Sequence, residues 1–369
     1  MKIEIQRNEL LKNIKSVNSV IDDNSLNPTL TGIKFICKFD VLTIIGSNNN
    51  VSVETIVKNL KIHKPGEVLI KSKIIFNIIS KLKNENITIE KIDNSILHIS
   101  SSDFSSDINL LDENTYPNIN FDISNLNKIN IPFTFFKEAA LKISSTIDPI
   151  NDYSKPINGI LFDSTRLPNT LECIGSDGKF LSYLKTHFPH KIKININISI
   201  IKYINEALDK PTDINFYINN KELLIQIDNT IFNCRTPEGE YPSAIKHIEK
   251  QYKNSILIDR DQLFLAIDRA AVITSADKNP SISFKVTEGM LKIASRSVEY
   301  GSSFEQIPIT GYTGQDVSVN FNIRRLLILI KNISNKQIDV QFDSETSPFL
   351  FKDTKEPNYI SLLTVTRTF

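Results

Sequence analysis

The chain has 369 residues, more than one hydrophobic core ordinarily serves, so two or three domains are expected. Its 43 Lys and Arg against 42 Asp and Glu leave a net charge of +1, so any affinity for a polyanion rests on where charge sits and not on its total. No run approaches a membrane span, and Met1-Lys2-Ile3-Glu4-Ile5 alternates like a strand without an apolar leader, so the expected location is cytoplasmic, with no membrane partner.

The first stretch opens with that strand and continues into a helix from Glu9 to Ile21. Leu10, Ile14, Val17 and Ile21 recur there at three- and four-residue steps, with Lys12 and Lys15 off the apolar stripe. Alternating runs from Gly32 to Phe39, Val41 to Ile45 and Val51 to Val57 read as strands. A second helix spans Ser72 to Leu82, with Ser72 as its N-cap, Ile75, Ile78, Ile79 and Leu82 on one face, and Lys73 and Lys81 on another. Strands Asn86 to Lys91, Ser95 to Ser100 and Asp107 to Leu111 lead to Tyr116-Pro117.

The order then starts again. Pro132 to Ser144 is helical with Phe136, Ala139, Ala140 and Ile143 inward; strands Gly159 to Asp163 and Leu171 to Ile174 follow, and Ser199 to Leu208 is the second helix. Strands Asp213 to Ile218, Glu222 to Ile227 and Ile231 to Arg235 precede Tyr241-Pro242. A third pass starts at Ile256, with helices from Asp261 to Val272 and Asn322 to Ile333.

Pro28, Pro156 and Pro280 stand 128 and 124 residues apart, and the two Tyr-Pro pairs 125 apart. That period exceeds a solenoid repeat of roughly 20–50 residues and matches a domain. The expected architecture is therefore α+β, three tandem copies of one domain, each with two helices packed on antiparallel strands, over residues 1–124, 125–251 and 252–369. One turn recurs with the period: Ile45-Gly46-Ser47, Ile174-Gly175-Ser176 and Ile293-Ala294-Ser295.

Catalytic signatures are missing. The sequence holds no G-x-S-x-G elbow, phosphate-binding glycine loop or H-E-x-x-H, and its five histidines lack metal-ligand spacing, so neither metal nor cofactor is expected. Cys37, Cys173 and Cys234 are odd in number, far apart and set in apolar runs, which reads as buried thiols. Basic residues instead gather on the helices: Lys12, Lys15, Lys73, Lys81, Lys137, Lys142, Lys202, Arg269, Arg324 and Lys331, with Arg260 and Arg325 beside them.

At this point Asn158-Gly159-Ile160-Leu161-Phe162, Ser176-Asp177-Gly178-Lys179-Phe180-Leu181, Gly239-Glu240-Tyr241-Pro242, Arg269-Ala270-Ala271-Val272 and the terminal Arg367-Thr368-Phe369 together resemble the bacterial DNA polymerase III beta subunits, the sliding clamps. The resemblance runs the whole length in register. It implies a non-catalytic processivity factor for DNA replication, a head-to-tail homodimer closed as a ring around double-stranded DNA, with those helix cations facing phosphates without reading sequence. It implies a subunit contact of Ile108 against Val272 and Ile273.

The resemblance also implies a cleft for short peptide motifs of the replicative polymerase and the clamp loader, at Ile157, Ser176, Gly178, Lys179, Phe180, Leu181, Pro242, Lys246, Leu362, Thr364, Val365, Thr366 and Arg367. The chain departs from the family's pattern at Lys179-Phe180, where His-Arg is usual, at Thr364-Val365-Thr366, where an apolar-Pro-apolar run is usual, and at Lys246-His247. Those threonines favour an alternative reading, a divergent clamp ring serving repair or other partners. An enzyme with a site assembled across domains is a third reading, without any nucleophile, metal or phosphate signature to support it.

Overall fold

A computed structural model describes residues 1–48, 50–147, 156–207, 213–219, 222–237, 240–241 and 245–366. The first copy contains β1 (Lys2–Gln6), α1 (Arg7–Asn18), β2 (Gly32–Lys38), β3 (Val41–Ser47), β4 (Val51–Val57), β5 (Leu60–Lys64), β6 (Gly66–Lys71), α2 (Ser72–Lys81), β7 (Asn86–Lys91), β8 (Ile96–Ser100) and β9 (Ser105–Leu111). The second contains β10 (Lys128–Ile131), α3 (Phe133–Ser144), β11 (Gly159–Asp163), β12 (Thr170–Ser176), β13 (Phe180–His187), β14 (Lys193–Asn197), α4 (Ile198–Ala207), β15 (Ile214–Asn219), β16 (Glu222–Ile227) and β17 (Thr230–Arg235). After α5 (Ile245–Ile248), the third contains β18 (Asn254–Asp259), α6 (Arg260–Ile273), β19 (Ser281–Thr287), β20 (Met290–Ser297), β21 (Gly301–Thr310), β22 (Val317–Asn322), α7 (Ile323–Lys331), β23 (Gln337–Phe342), β24 (Phe349–Asp353) and β25 (Tyr359–Leu363).

These elements form two compact units, residues 1–136 with 199–236, and residues 137–198 with 237–369. Within the first, strands run β10-β15-β16-β17-β4-β3-β2-β6-β9-β8-β7-β1-β5; within the second, β14-β11-β12-β13-β25-β24-β23-β18-β21-β20-β19-β22. The middle copy thus gives four strands to each unit. In the first unit β17 pairs with β4 beside a buried polar network, in which Thr55 and Asn229 donate to the Asn13 side-chain oxygen at 2.9 and 3.0 Å and Thr230 donates to Thr55. In the second, β13 pairs with β25 over Ser182, Ser361 and the Tyr359 hydroxyl, with Thr146 donating to Ser182 at 2.8 Å. Hydrogen-bonding these buried hydroxyls to one another avoids the cost of leaving any of them unpaired.

The helices bury the faces their periodicity marks: Leu10, Ile14 and Val17 on α1, and Phe136, Ala139, Ala140 and Ile143 on α3. α1 starts two residues earlier than expected because the Arg7 guanidinium reaches across to the end of α2, donating to the Ile79 and Ser80 carbonyls. Arg260 does the same in the third copy, its Nε 2.9 Å from the Ile333 carbonyl past α7. A cation there satisfies orphan carbonyls and complements the helix dipole. Ser72 is not the N-cap expected of it; Lys71 holds that position, and Ser72 lies inside α2 with its buried hydroxyl donating to Asn18. All three thiols are buried, and burial pushes Cys37 up to about 11.

The recurrent turn needs one correction. A Cβ on Gly46 would stand 2.5 Å from Val17, and one on Gly175 2.2 Å from Ile143, so glycine lets each strand close on its helix. In the third copy the residue facing the helix is Ser295, whose hydroxyl donates to the Ala270 carbonyl at 3.0 Å, so the match is Ala294-Ser295-Arg296, one residue later than the sequence pattern places it. α6 carries the small Ala270 where α1 has Val17 and α3 has Ile143, which makes room for the serine.

The two-residue β2–β3 turn is strained. Lys38 pairs with Val41, leaving Phe39 and Asp40 both left-handed, with φ of 49° and 59°, and Phe39 is 95% exposed. Replacing Phe39-Asp40 with Asn-Gly should raise unfolding free energy by about 1–2 kcal/mol in urea titrations, because those residues enter this region at little cost.

Candidate functional site

The hairpin joining β12 to β13 is set by its own polar atoms. Asp177 Oδ1 accepts from the Lys179 and Phe180 amides at 2.8 and 2.6 Å, Gly178 takes φ of +86°, and Ser176 Oγ accepts from the Gly178 amide while donating to the Phe180 carbonyl. Arg325 at the start of α7 donates to Asp177 Oδ2 at 2.6 Å. The chain's last described residues bind across this turn: the Thr364 amide donates to the Lys179 carbonyl at 2.9 Å, and the Thr366 amide to the Asn320 carbonyl at 2.7 Å.

On the outer face of β13, Leu181 and Tyr183 join Leu161, Ile174, Leu350, Ile360 and Leu362, with Ile248 of α5 packed on them and Tyr241, Ile245 and Tyr252 at the margin. Strand pleating sends Phe180 to the opposite face, so the expected cleft set is divided. Leu181 and Leu362 share the apolar cluster, while Phe180 and Asp177 line a separate polar recess. Ile157 lies beside Gly178, Lys246 is exposed on α5, and Thr364, Val365 and Thr366 are half-buried. Pro242 and Arg367 lie outside the described residues. Tyr183, Ile248 and Leu350 were missed by sequence reasoning; period-two alternation through Ser182 would have found Tyr183, whereas the four-residue α5 is too short to show a period.

An ion pair whose carboxylate is buried and whose guanidinium is half-buried supports this face. Glu172 on β12 is 0% exposed; it accepts from Arg166 Nε at 2.8 Å and from the Tyr183 hydroxyl at 2.6 Å, and another guanidinium nitrogen of Arg166 pairs with Glu249 just past α5. The bond to Glu172 holds the guanidinium firmly protonated, and burial, reinforced by the same carboxylate, pushes the Tyr183 phenol well above its usual range.

Of the helix cations, Lys12, Lys15, Lys73, Lys81 and Lys202 are exposed in the first unit, and Lys137, Arg324 and Lys331 in the second. Lys142 departs from expectation: its side chain is 14% exposed, between Glu138 and Glu356 at 2.9 Å each and 4.9 Å above the Tyr359 ring. Burial works against that ammonium, and the two carboxylates overcome it and raise its pKa. Arg269 is likewise engaged, in a two-point pair with Glu305.

Besides the terminal strands β5, β10, β14 and β22, two strands keep most of one edge open among the described residues, β9 and β21. β9 pairs with β8 from Ser105 to Asn109 but with β6 only at Leu110 and Leu111; β21 pairs with β20 from Gly301 to Pro308 but with β18 only at Ile309 and Thr310. Ile108, expected at the subunit surface, is only 5% exposed because β9's alternation turns it inward opposite Leu97; what β9 offers is its backbone edge. Val272 is 69% exposed and Ile273 half-buried, and Phe304 on β21 is exposed. No described helix is long and apolar enough to cross a membrane, and no cluster of three or more metal-ligating side chains occurs among the described residues.

Paired helices on large antiparallel sheets, repeated three times and sharing strands between copies, define a clamp fold. The profiles of the DNA polymerase III beta subunit match at both ends, the N-terminal domain at residues 1–120 and the C-terminal domain at 246–366. The chain belongs to the bacterial DNA polymerase III beta subunit family, the beta sliding clamps. It is similar over its whole length to the beta sliding clamps of Halalkalibacterium halodurans, at 23% identity, and Bacillus subtilis, at 24%, each also covered completely. The crystal structure of the Caulobacter crescentus sliding clamp superposes with a TM-score of 0.93 at 19% identity, with both chains fully covered.

Proposed function

We propose that two copies of this chain close head to tail around duplex DNA and tether a replicative DNA polymerase, as a sliding clamp with no catalysis of its own, acting in the cytoplasm. Strand register carries the closure. At the first unit's seam Val53 stands opposite Phe232, and at the second unit's seam Ser182 stands opposite Ser361. Val53, Ser182 and Ser303 are equivalent, each paired across the hairpin with the residue facing the copy's first helix, namely Gly46, Gly175 and Ser295. Phe232, Ser361 and Ser106 are equivalent in turn, each opposite Ile225, Phe351 or Ile99 of the strand before.

The third pair of the series is then β21 of one copy against β9 of its partner, with Ser303 opposite Ser106. Two such head-to-tail contacts make a closed ring and leave neither strand edge open. Three copies of the domain, over residues 1–124, 125–251 and 252–369, would repeat one seam six times. Lys12, Lys15, Lys73, Lys81, Lys137, Lys202 and Lys331 supply exposed positive charge for phosphates, so contact with DNA is sequence-independent and salt-sensitive. Retention comes from topology.

Polymerase and clamp loader dock through short peptides whose apolar anchors enter at the margin of the buried Leu181–Leu362 cluster, beside Tyr241, Ile245 and Tyr252, a form of recognition suited to a small apolar site edged by polar groups. The register gives the test. A chain with Asp107→Cys and Ser302→Cys, opposite each other in this register, should on oxidation form a covalent ring; the native thiols are buried and do not compete. Loaded on closed circular DNA and oxidised, it should stay with the circle through detergent and leave when the circle is cut. Release from the uncut circle would overturn the ring.

A further inference from the structure

The recess on the inner side of the Asp177 turn has a volume of about 380 Å³ and is lined by three cations, Lys278, Arg324 and Arg325, against a single carboxylate, Asp177. That carboxylate is already occupied: one oxygen takes two backbone amides and the other takes Arg325. Lys278 and Arg324 have no carboxylate partner among the described residues. Asn279 and Asn322 line the same space, and Asn322 Oδ1 accepts from the Arg325 amide as the cap of α7. Among the described residues the walls therefore offer two positive charges without a carboxylate partner, and no carboxylate beyond the occupied Asp177.

We propose that this recess receives a carboxylate side chain of the partner peptide, so that this clamp prefers peptides with an acidic residue beside their apolar anchors. The proposal rests on the peptide-cleft reading above. A peptide is favoured over a DNA phosphate because the recess and the apolar cluster share one wall. Phe180 on one side of β13 and Leu181 on the other are consecutive residues, and the Thr364 amide fastens the chain's own tail to Lys179 between them. A segment whose anchors enter at the margin of the buried Leu181–Leu362 cluster needs only to cross this turn to bring a carboxylate to Lys278 and Arg324. Arg324 then belongs to partner recognition and leaves the set of cations facing DNA.

The test uses fluorescently labelled peptides with paired leucine anchors and a single Glu scanned through the flanking positions, each compared with its Gln counterpart by polarisation on the full-length protein. At one position Glu should bind at least tenfold tighter than Gln at low salt, with the ratio shrinking as salt rises. The Lys278→Gln, Arg324→Gln double variant should lose that ratio while binding the Gln peptide as before. Equal affinity for Glu and Gln everywhere, or a preference that survives the double variant, overturns the recess and leaves the cleft standing. Binding of neither peptide to the unmodified protein overturns the cleft reading and this one with it. Weaker salt-resistance of DNA retention in the double variant, with peptide preference unchanged, assigns the recess to DNA and also overturns the proposal.

Discussion

Val272→Asp should weaken self-association by about a thousandfold or more, seen as a shift from dimer to monomer mass in sedimentation equilibrium. Val272 lies near the C-terminal end of α6, 127 residues beyond Ser145, the same offset that relates Ala270 to Ile143. In the second unit's seam the equivalent place is touched from across the seam: Asn332 beyond α7 donates to the Lys142 carbonyl and to Ser145 Oγ, both at 2.9 Å. A partner's α2 would cover Val272 in the same way. Burying one valine is worth about 1.5–3 kcal/mol, and a ring has two such contacts. At 1.4 kcal/mol per tenfold, the lost burial alone approaches or exceeds a thousandfold, and desolvating the new carboxylate adds to it. Unchanged mass at micromolar concentration would refute the placement of Val272 in the seam.

Arg166→Met should lower unfolding free energy by about 3–5 kcal/mol at neutral pH, the usual result of leaving a buried charge without its partner. Glu172 would keep only the Tyr183 hydroxyl, in a position with no access to water. Adding Glu172→Gln should recover part of the loss by removing the charge. Urea titrations of the parent, the single variant and the double variant check both statements; a double variant no more stable than Arg166→Met would mean that the pair acts through packing alone.

The ion pair also explains why the apolar cluster was only partly legible. α5 has four residues, too few for a periodic signal, and it is held by Ile248 on the cluster and by Arg166 on Glu249, contacts 83 residues apart in the latter case. Long apolar helices such as α1 and α3, by contrast, announce their inward faces because residues three and four apart share a side. Short hairpin strands announce themselves too, by alternation.

The sequence by itself determined the threefold recurrence, the two helices of each copy and the absence of catalytic signatures, all of which depend on local spacing. Tertiary structure decided what depends on register. It showed that Ser295 and not Ala294 stands where Gly46 and Gly175 stand, because Ala270 leaves space there that Val17 and Ile143 fill. It split Phe180 from Leu181, since neighbouring side chains on a strand point to opposite faces, and it turned Ile108 inward for the same reason. It joined β4 to β17 and β13 to β25, strands that no local pattern connects. A one-residue shift in register reverses every side chain on a strand at no cost to its alternation, so only the packing partner can choose between the two.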